Sequence, residues 1–493
     1  MHAHSWPDRA AQPGRLGTGP SASRALILGY ATILAALAVP GILDFPAVFV
    51  GLLAYPAMHL LCPACRVDLS VPLSPRNWAQ LLFFIQLVVM PLSMALLGPA
   101  TGTLPRLPSP FAINASITLI GLSYVAFCLG YQYAATRTPP RGGRGLGQAG
   151  SDPAKMRGYV TAHLALGAVG LGCSFGGLGG LIQYYTAPAE AKFAVEELAG
   201  TLAGAAGTFL KPFFGFAFVI SWCNWADRRG RSCATASKVA VTAILATLVI
   251  LGYSTFNYNR GAFVAPLIAL AAVYLTRVQR LPLGVLVLIA AATLTLLIAW
   301  GTYRSANASV GSDAGSLAAA TDLNEQFQVY GGAPQYLGFL LEESRYAGSL
   351  SWGTTLLSSA LYPLPVIGES FRPTSGVVLY NEMIYGKTGN LDQVISFQGE
   401  LFLNFHVVGV IAGFVLLGLL ASRLQKAFEE ASTSLEAFIW MYSSVWTLFL
   451  ILGSLAVVSQ ILIYFFWPIY LYALSKVALK FLRRPGSGRR DHA

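Results

Sequence analysis

Several positions carry ionisable residues in or beside runs that are otherwise apolar. Arg260 follows Tyr258-Asn259 and precedes Gly261. A guanidinium so placed can grip a phosphate through two parallel N–H bonds and keeps its charge when partly dehydrated, and the glycine lets backbone and ligand approach closely. The same residue also reads as a snorkelling anchor at a helix end. Gly368-Glu369-Ser370-Phe371-Arg372-Pro373 sets an acid and a base three residues apart in a Pro-bounded turn, which suits either a local salt bridge or a substrate site. Gly399-Glu400 runs through Asn404-Phe405 to His406, and on a helix Glu400 and Asn404 share one face at i and i+4. Glu400 there also favours the positive end of a helix dipole, and His406 reads equally as a packed, hydrogen-bonded histidine. Lys211, with Pro212 after it, has no acidic residue near in sequence; it either snorkels outward or faces a cavity holding an anion.

The elements that must position these residues are membrane spans. The 493 residues are 55% hydrophobic and only 11% charged, with a mean hydropathy of +0.60, far from the roughly 25% charge of soluble domains. A span needs about 20 mostly apolar residues. Twelve such runs occur, near 25–42, 45–61, 79–98, 113–134, 159–182, 204–225, 239–256, 261–276, 283–300, 401–420, 437–457 and 461–477, the second and eighth being short. Residues 1–24 and 479–493 read as cytoplasmic tails. The first run lacks a cleavage pattern after it and reads as a retained span. With an inside N-terminus, 24 of the 32 basic residues fall in inner segments and seven outside, as expected where positive residues in short loops stay cytoplasmic. The net charge of +11 then reflects topological anchors rather than a nucleic-acid surface.

Residues 301–399 form one large outer loop, too long for a simple connector. Within it, 323–341 and 352–361 are expected as short amphipathic helices at the membrane interface, and Pro363, Pro365 and Pro373 as an extended or turned path through Tyr362 to Ser375. The expected class is an all-α polytopic membrane protein with about 12 transmembrane helices: 25–300 carry nine, and 400–478 carry three. Cys62-Pro63-Ala64-Cys65 has redox spacing, but at an inner boundary and without a second pair it reads as packing. There is no Asp-x-Asp pair, no zinc spacing and no Gly-rich nucleotide loop, so chemistry here is expected to be metal-free and to use a membrane-borne substrate.

Two stretches are similar to a known family. Asn257-Tyr258-Asn259-Arg260-Gly261-Ala262-Phe263, leading into an apolar run and Arg277, resembles the Arg-Gly turn before a hydrophobic helix in the O-antigen polymerase, or oligosaccharide repeat-unit polymerase, family of bacterial inner membranes. Gly399-Glu400, Asn404-Phe405, Gly409 and Gly418-Leu419-Leu420 resemble its Gly-Glu, Asn-Phe-Gly and Gly-Leu-Leu pattern, with His406 where the family commonly has Gly. The resemblance covers about 239–420 by motif, and the remainder by topology.

It implies a GT-C-like glycosyltransferase without a cofactor, acting at the outer face of the inner membrane. A growing glycan on undecaprenyl diphosphate would be moved onto a sugar hydroxyl of another lipid-linked repeat unit. Arg260 and Arg372, with Lys211 or Arg304, would hold the departing diphosphate, and Glu400, Glu369 or His406 would act as general base. A chain-length regulator would be a partner. An O-antigen ligase-type transferase has the same donor chemistry, and a non-enzymatic transporter of lipid-linked glycan or solute is the alternative of a different class.

Overall fold

A computed structural model describes residues 44–137, 153–176, 179–180, 182, 202–230, 232–254, 260–282, 284–286, 288, 323–347, 350–364, 367–387 and 393–482. The protein is a helical, multi-pass membrane protein, with no strand among the described residues. Among these residues seven helices are long and apolar enough to cross a bilayer, or eight if one bent pair counts as a span. The runs expected at 25–42 and 283–300 lie wholly or mostly outside the described residues.

The helices are α1 (Val48–Leu61), α2 (Pro75–Leu97), α3 (Pro110–Arg137), α4 (Pro153–Phe175), α5 (Leu202–Leu210), α6 (Pro212–Arg228), α7 (Thr235–Ser254) and α8 (Arg260–Val273). Five short ones follow: α9 (Leu323–Tyr330), α10 (Pro334–Ala347), α11 (Thr354–Leu361), α12 (Gly368–Phe371) and α13 (Gly376–Tyr385). The last four are α14 (Phe397–Glu429), α15 (Ser434–Leu448), α16 (Leu455–Tyr464) and α17 (Trp467–Leu482), with α16 and α17 bent by 55° at their junction.

Local chemistry explains the starts and irregularities. Ser74 caps α2 by accepting from Asn77 N–H (3.3 Å), and Pro75 takes the first helical position, where no donor is missed. Farther along, Pro91 has no N–H for the Leu87 carbonyl, and the helix widens into a π turn over Ile85–Val89. That carbonyl faces Gly51 of α1, where a Cβ would come within 2.3 Å of it.

Glycines also set the central pair. A Cβ at Gly130 would lie 2.2 Å from the Val415 carbonyl oxygen and one at Gly418 2.1 Å from that of Phe127, so α3 and α14 approach backbone to backbone. By contrast, only 11% of the apolar window of α7 is buried, leaving Val239, Ile244 and Leu251 exposed, as a helix in hydrocarbon allows.

The bundle has two chemically different ends. At one, Arg76 N–H donates to Gln425 Oε1 (2.9 Å), Ala64 N–H to Gln132 Oε1 (2.9 Å) and the Arg277 guanidinium to the Ala431 carbonyl, while Asp227 accepts from Ser434 Oγ (2.5 Å). At the other, Gln398 Nε2 donates to Gln86 Oε1 (3.0 Å), and Gln328 Nε2 in α9 donates to the Gly98 carbonyl (2.9 Å). Helices α9–α13 gather at this second end.

The segment 323–341 is helical as expected, but it breaks at Gly331-Gly332, where Gly332 has φ +66°. Of the extended or turned path expected between Tyr362 and Ser375, the described residues take the turned one. It coils into α12 and a 3₁₀ turn over Arg372–Thr374, because Pro373 falls in a first helical turn, where its fixed φ is compatible.

Candidate functional site

The start of α14 is built by Ser396, whose Oγ accepts from Gly399 N–H (3.2 Å), and by Phe397 N–H donating to the Gly453 carbonyl (2.8 Å). One turn in, Glu400 is fully buried. Its Oε1 accepts from Ser359 Oγ of α11 (2.7 Å) and its Oε2 from Leu455 N–H, the first residue of α16 (2.8 Å). Asn404 lies on the same face, also fully buried: its Nδ2 donates to the Glu400 carbonyl (2.6 Å) and to Thr355 Oγ1, and its Oδ1 accepts from Gly353 N–H (2.8 Å).

The helix then breaks. Phe405 has φ −141° and ψ 16°, and His406 has φ 53° and ψ −150°. That last conformation is one only glycine adopts freely, at a cost of roughly 1–3 kcal/mol for another residue. His406 is exposed, with its ring 5.1 Å from that of Phe402. Beside the break an apolar cavity of about 440 Å³ opens between α3 and α14, lined by Phe111, Leu119, Leu122, Phe402 and Val407, with Glu342 at its polar side.

The second cluster lies at the far end of α11. The Arg372 guanidinium carbon sits 5.1 Å from the centre of the Tyr362 ring, and among the described residues no ion pair joins it to Glu369; both residues are exposed. Next to them Tyr464 Oη donates to the Pro363 carbonyl (2.6 Å), tying the end of α16 to this turn. The Tyr464 ring packs on Phe209 (5.4 Å between centroids), which also meets Trp467 edge-on (5.8 Å). Phe209 is two residues from Lys211, which is buried where α5 meets α6 with its Nζ 5.3 Å from the Phe175 ring centre. Arg260 opens α8. The preceding helix ends against the same bend, because Tyr253 stacks on Phe465 with rings 7° from parallel. Arg304 lies outside the described residues.

Of the residues expected to act, Arg372 and Glu369 share one turn, and an aromatic seam through Tyr464 links that turn to the Lys211 helix junction. Glu400 and Asn404 form a separate, closed polar centre. Sequence reasoning missed Ser359, Tyr362 and Tyr464. Tyr362 and Tyr464 end apolar helices beside Pro363 and Phe465, and the Ser358-Ser359 pair inside an apolar helix was the available signal for a buried polar contact. Asn381 holds its own loop, exchanging bonds with the backbone of Gln393 (3.0 and 2.7 Å). Cys62 and Cys65 are buried free thiols, and Cys65 Sγ lies 3.5 Å from the Cys128 carbonyl. Among the described residues no three His, Cys, Asp or Glu side chains are grouped to hold a metal. The chain matches no protein-family model, no curated protein and no solved structure.

Proposed function

We propose that this chain polymerises polyprenyl-diphosphate-linked oligosaccharide repeat units at the outer face of a bacterial inner membrane. The observation that carries the reading is the exposed Arg372 guanidinium held against Tyr362 at the bundle end opposite the Arg76–Gln425 and Arg277–Ala431 contacts. On this reading both termini are cytoplasmic, the chain crosses the membrane about 12 times, and 301–399 face outward.

In the proposed step a sugar hydroxyl oxygen bonds to the anomeric carbon of the donor glycan. The bond from that carbon to the diphosphate oxygen breaks, and its electron pair leaves with the lipid diphosphate. Arg372, with Lys211 and Arg260, offsets the developing negative charge. Glu369, exposed in the same turn as Arg372, takes the hydroxyl proton, since Glu400 is fully buried behind Ser359 and Leu455. Exposed His406 is the other base within the family-like motif. The cavity between α3 and α14 suits an isoprenoid chain entering sideways from the bilayer.

A transporter is the second reading, favoured by two interrupted helices, α14 at His406 and the α16–α17 bend, since broken helices are how transporters build sites. Glycan analysis of a strain lacking the protein separates the readings. Lipid-linked single repeats without polymer support the polymerase, full-length polymer retained on its carrier supports a ligase, and unchanged glycans overturn both enzyme readings in favour of the transporter.

A further inference from the structure

We infer that Glu400 is a positioning residue, a buried pin that holds α11, α13 and α16 in one register and so fixes where Arg372 and Tyr464 stand. The pin is independent of the glycan reading; only the statement of what it positions for catalysis rests on that reading.

The bonds run outward from the carboxylate in two directions. Through Oε1, Ser359 Oγ donates to Glu400 while accepting from Gly376 N–H (3.2 Å), so the hydroxyl is oriented by a donor on one side and an acceptor on the other. Gly376 packs so closely that a Cβ there would lie 2.8 Å from Glu400 Oε1. The preceding residue, Ser375, caps α13 and donates to the Arg372 carbonyl (2.9 Å). The turn bearing Arg372 is therefore placed, through three short links, by the carboxylate.

Through Oε2, Glu400 receives the Leu455 N–H at the start of α16, where the unsatisfied donors of a helix N-terminus favour negative charge. The other end of α16, roughly 15 Å away at 1.5 Å per residue, is tied by Tyr464 to the Pro363 carbonyl. In between, Ser459 Oγ donates to the Ser359 carbonyl (2.8 Å). Helices α11 and α16 are thus bonded at the pin, alongside it and at the Tyr362–Tyr464 end. Because Glu400 is fully buried, a substrate hydroxyl reaches it only if the packing of α11, α14 and α16 around it opens.

The pin makes a prediction that a general base does not. A glutamine at 400 keeps one acceptor for Leu455 N–H and offers an amide donor to the second lone pair of Ser359 Oγ, whose hydroxyl hydrogen turns to a carbonyl of its own helix, so E400Q retains both links of the pin, E400A removes it, and S359A removes only the Oε1 branch. Hydrogen exchange followed by mass spectrometry on the full chain in lipid nanodiscs reads this directly. In E400A, exchange across 354–376 and 455–464 is expected to quicken about tenfold, as loss of buried hydrogen bonds implies, with 110–137 unchanged. S359A is expected to quicken 354–376 and spare 455–464, and E400Q to stay within about twofold of the parent, well under one lost hydrogen bond. Uniform quickening throughout the E400A chain, or none at 455–464, overturns the pin.

Its consequence for catalysis is read separately in membranes. E400Q is expected to keep the parental pH profile and turnover, with S359A raising KM for the lipid-linked donor. An E400Q variant as inactive as E400A, with parental exchange, would show that Glu400 transfers the proton. Absence of any glycan product in the parent would overturn the proposed function and leave the exchange result standing.

Discussion

Asn404 Oδ1 accepts from the backbone N–H of Gly353 at 2.8 Å, which joins the first segment of α14 to the start of α11 immediately before the helix is interrupted at Phe405-His406. Gly353 has φ +88°, so this contact is made by a residue whose backbone a side chain would strain. Replacing Asn404 with Leu leaves the half-buried Gly353 N–H without its acceptor and the buried Thr355 hydroxyl without its donor, and N404L is expected to lose about 1–3 kcal/mol of stability. Thermal unfolding of the purified protein in detergent checks it; an unchanged midpoint would remove Asn404 from the framework.

His406 stands at φ 53° and ψ −150°. Substituting glycine there relieves a conformation that costs another residue about 1–3 kcal/mol, partly offset by the greater freedom of glycine when unfolded. H406G is expected to unfold at the parental temperature or above it, and H406V below it. If His406 is instead the base, H406G will keep its stability but lose polymer.

Arg372 and Tyr362 bear the functional reading. Removing one preorganised charge contact costs about 10²-fold in turnover. R372A is expected to fall by that order, measured as polymer formed per amount of membrane protein. R372K and R260K should recover little, because an ammonium does not reproduce bidentate phosphate geometry. Y362L should cost only about two- to fivefold, the value of an exposed cation–π contact. Full activity in R372A would remove this turn from the site.

Glu342 closes a fork with Arg106, one oxygen at 2.8 Å from the guanidinium and the other accepting from Ser109 N–H at 2.7 Å. The bond from the Ser109 backbone and the Arg106 charge hold its carboxyl below the usual range. A depressed folded pKa means that this contribution is fully present above about 4.3, the ordinary Glu value, and is lost as pH falls through the lower folded value. Protection from exchange in 334–347, taken relative to the intrinsic rate at each pH, should therefore fall below about pH 4 in the parent, while E342Q is less protected at neutral pH and responds less to acid.

Gly130 and Gly418 test the central packing. A side chain at either meets a backbone carbonyl, which cannot move aside as a flexible side chain would. G418L is expected to lower the unfolding temperature, overpacking costing about 1–3 kcal/mol or more, whereas G158L, where a Cβ meets nothing within 4 Å, should be silent.

Composition and spacing alone decide that this is a helical membrane protein, because 55% hydrophobic residues in runs of span length leave no soluble alternative. They also mark 323–341 and 352–361 as stretches for short helices, and pair Glu400 with Asn404 on one helical face, since both follow from local periodicity. What they leave open is which carboxylate is sealed and which faces outward. Glu369 and Glu400 look alike in sequence, each beside a glycine and near an apolar run. Glu400 is closed off by Ser359, 41 residues before it, and by Leu455, 55 residues after it, whereas Glu369 lies exposed on a short helix. Burial of an ionisable group depends on donors brought in from distant parts of the chain, and only the packing of α11, α14 and α16 against one another supplies them.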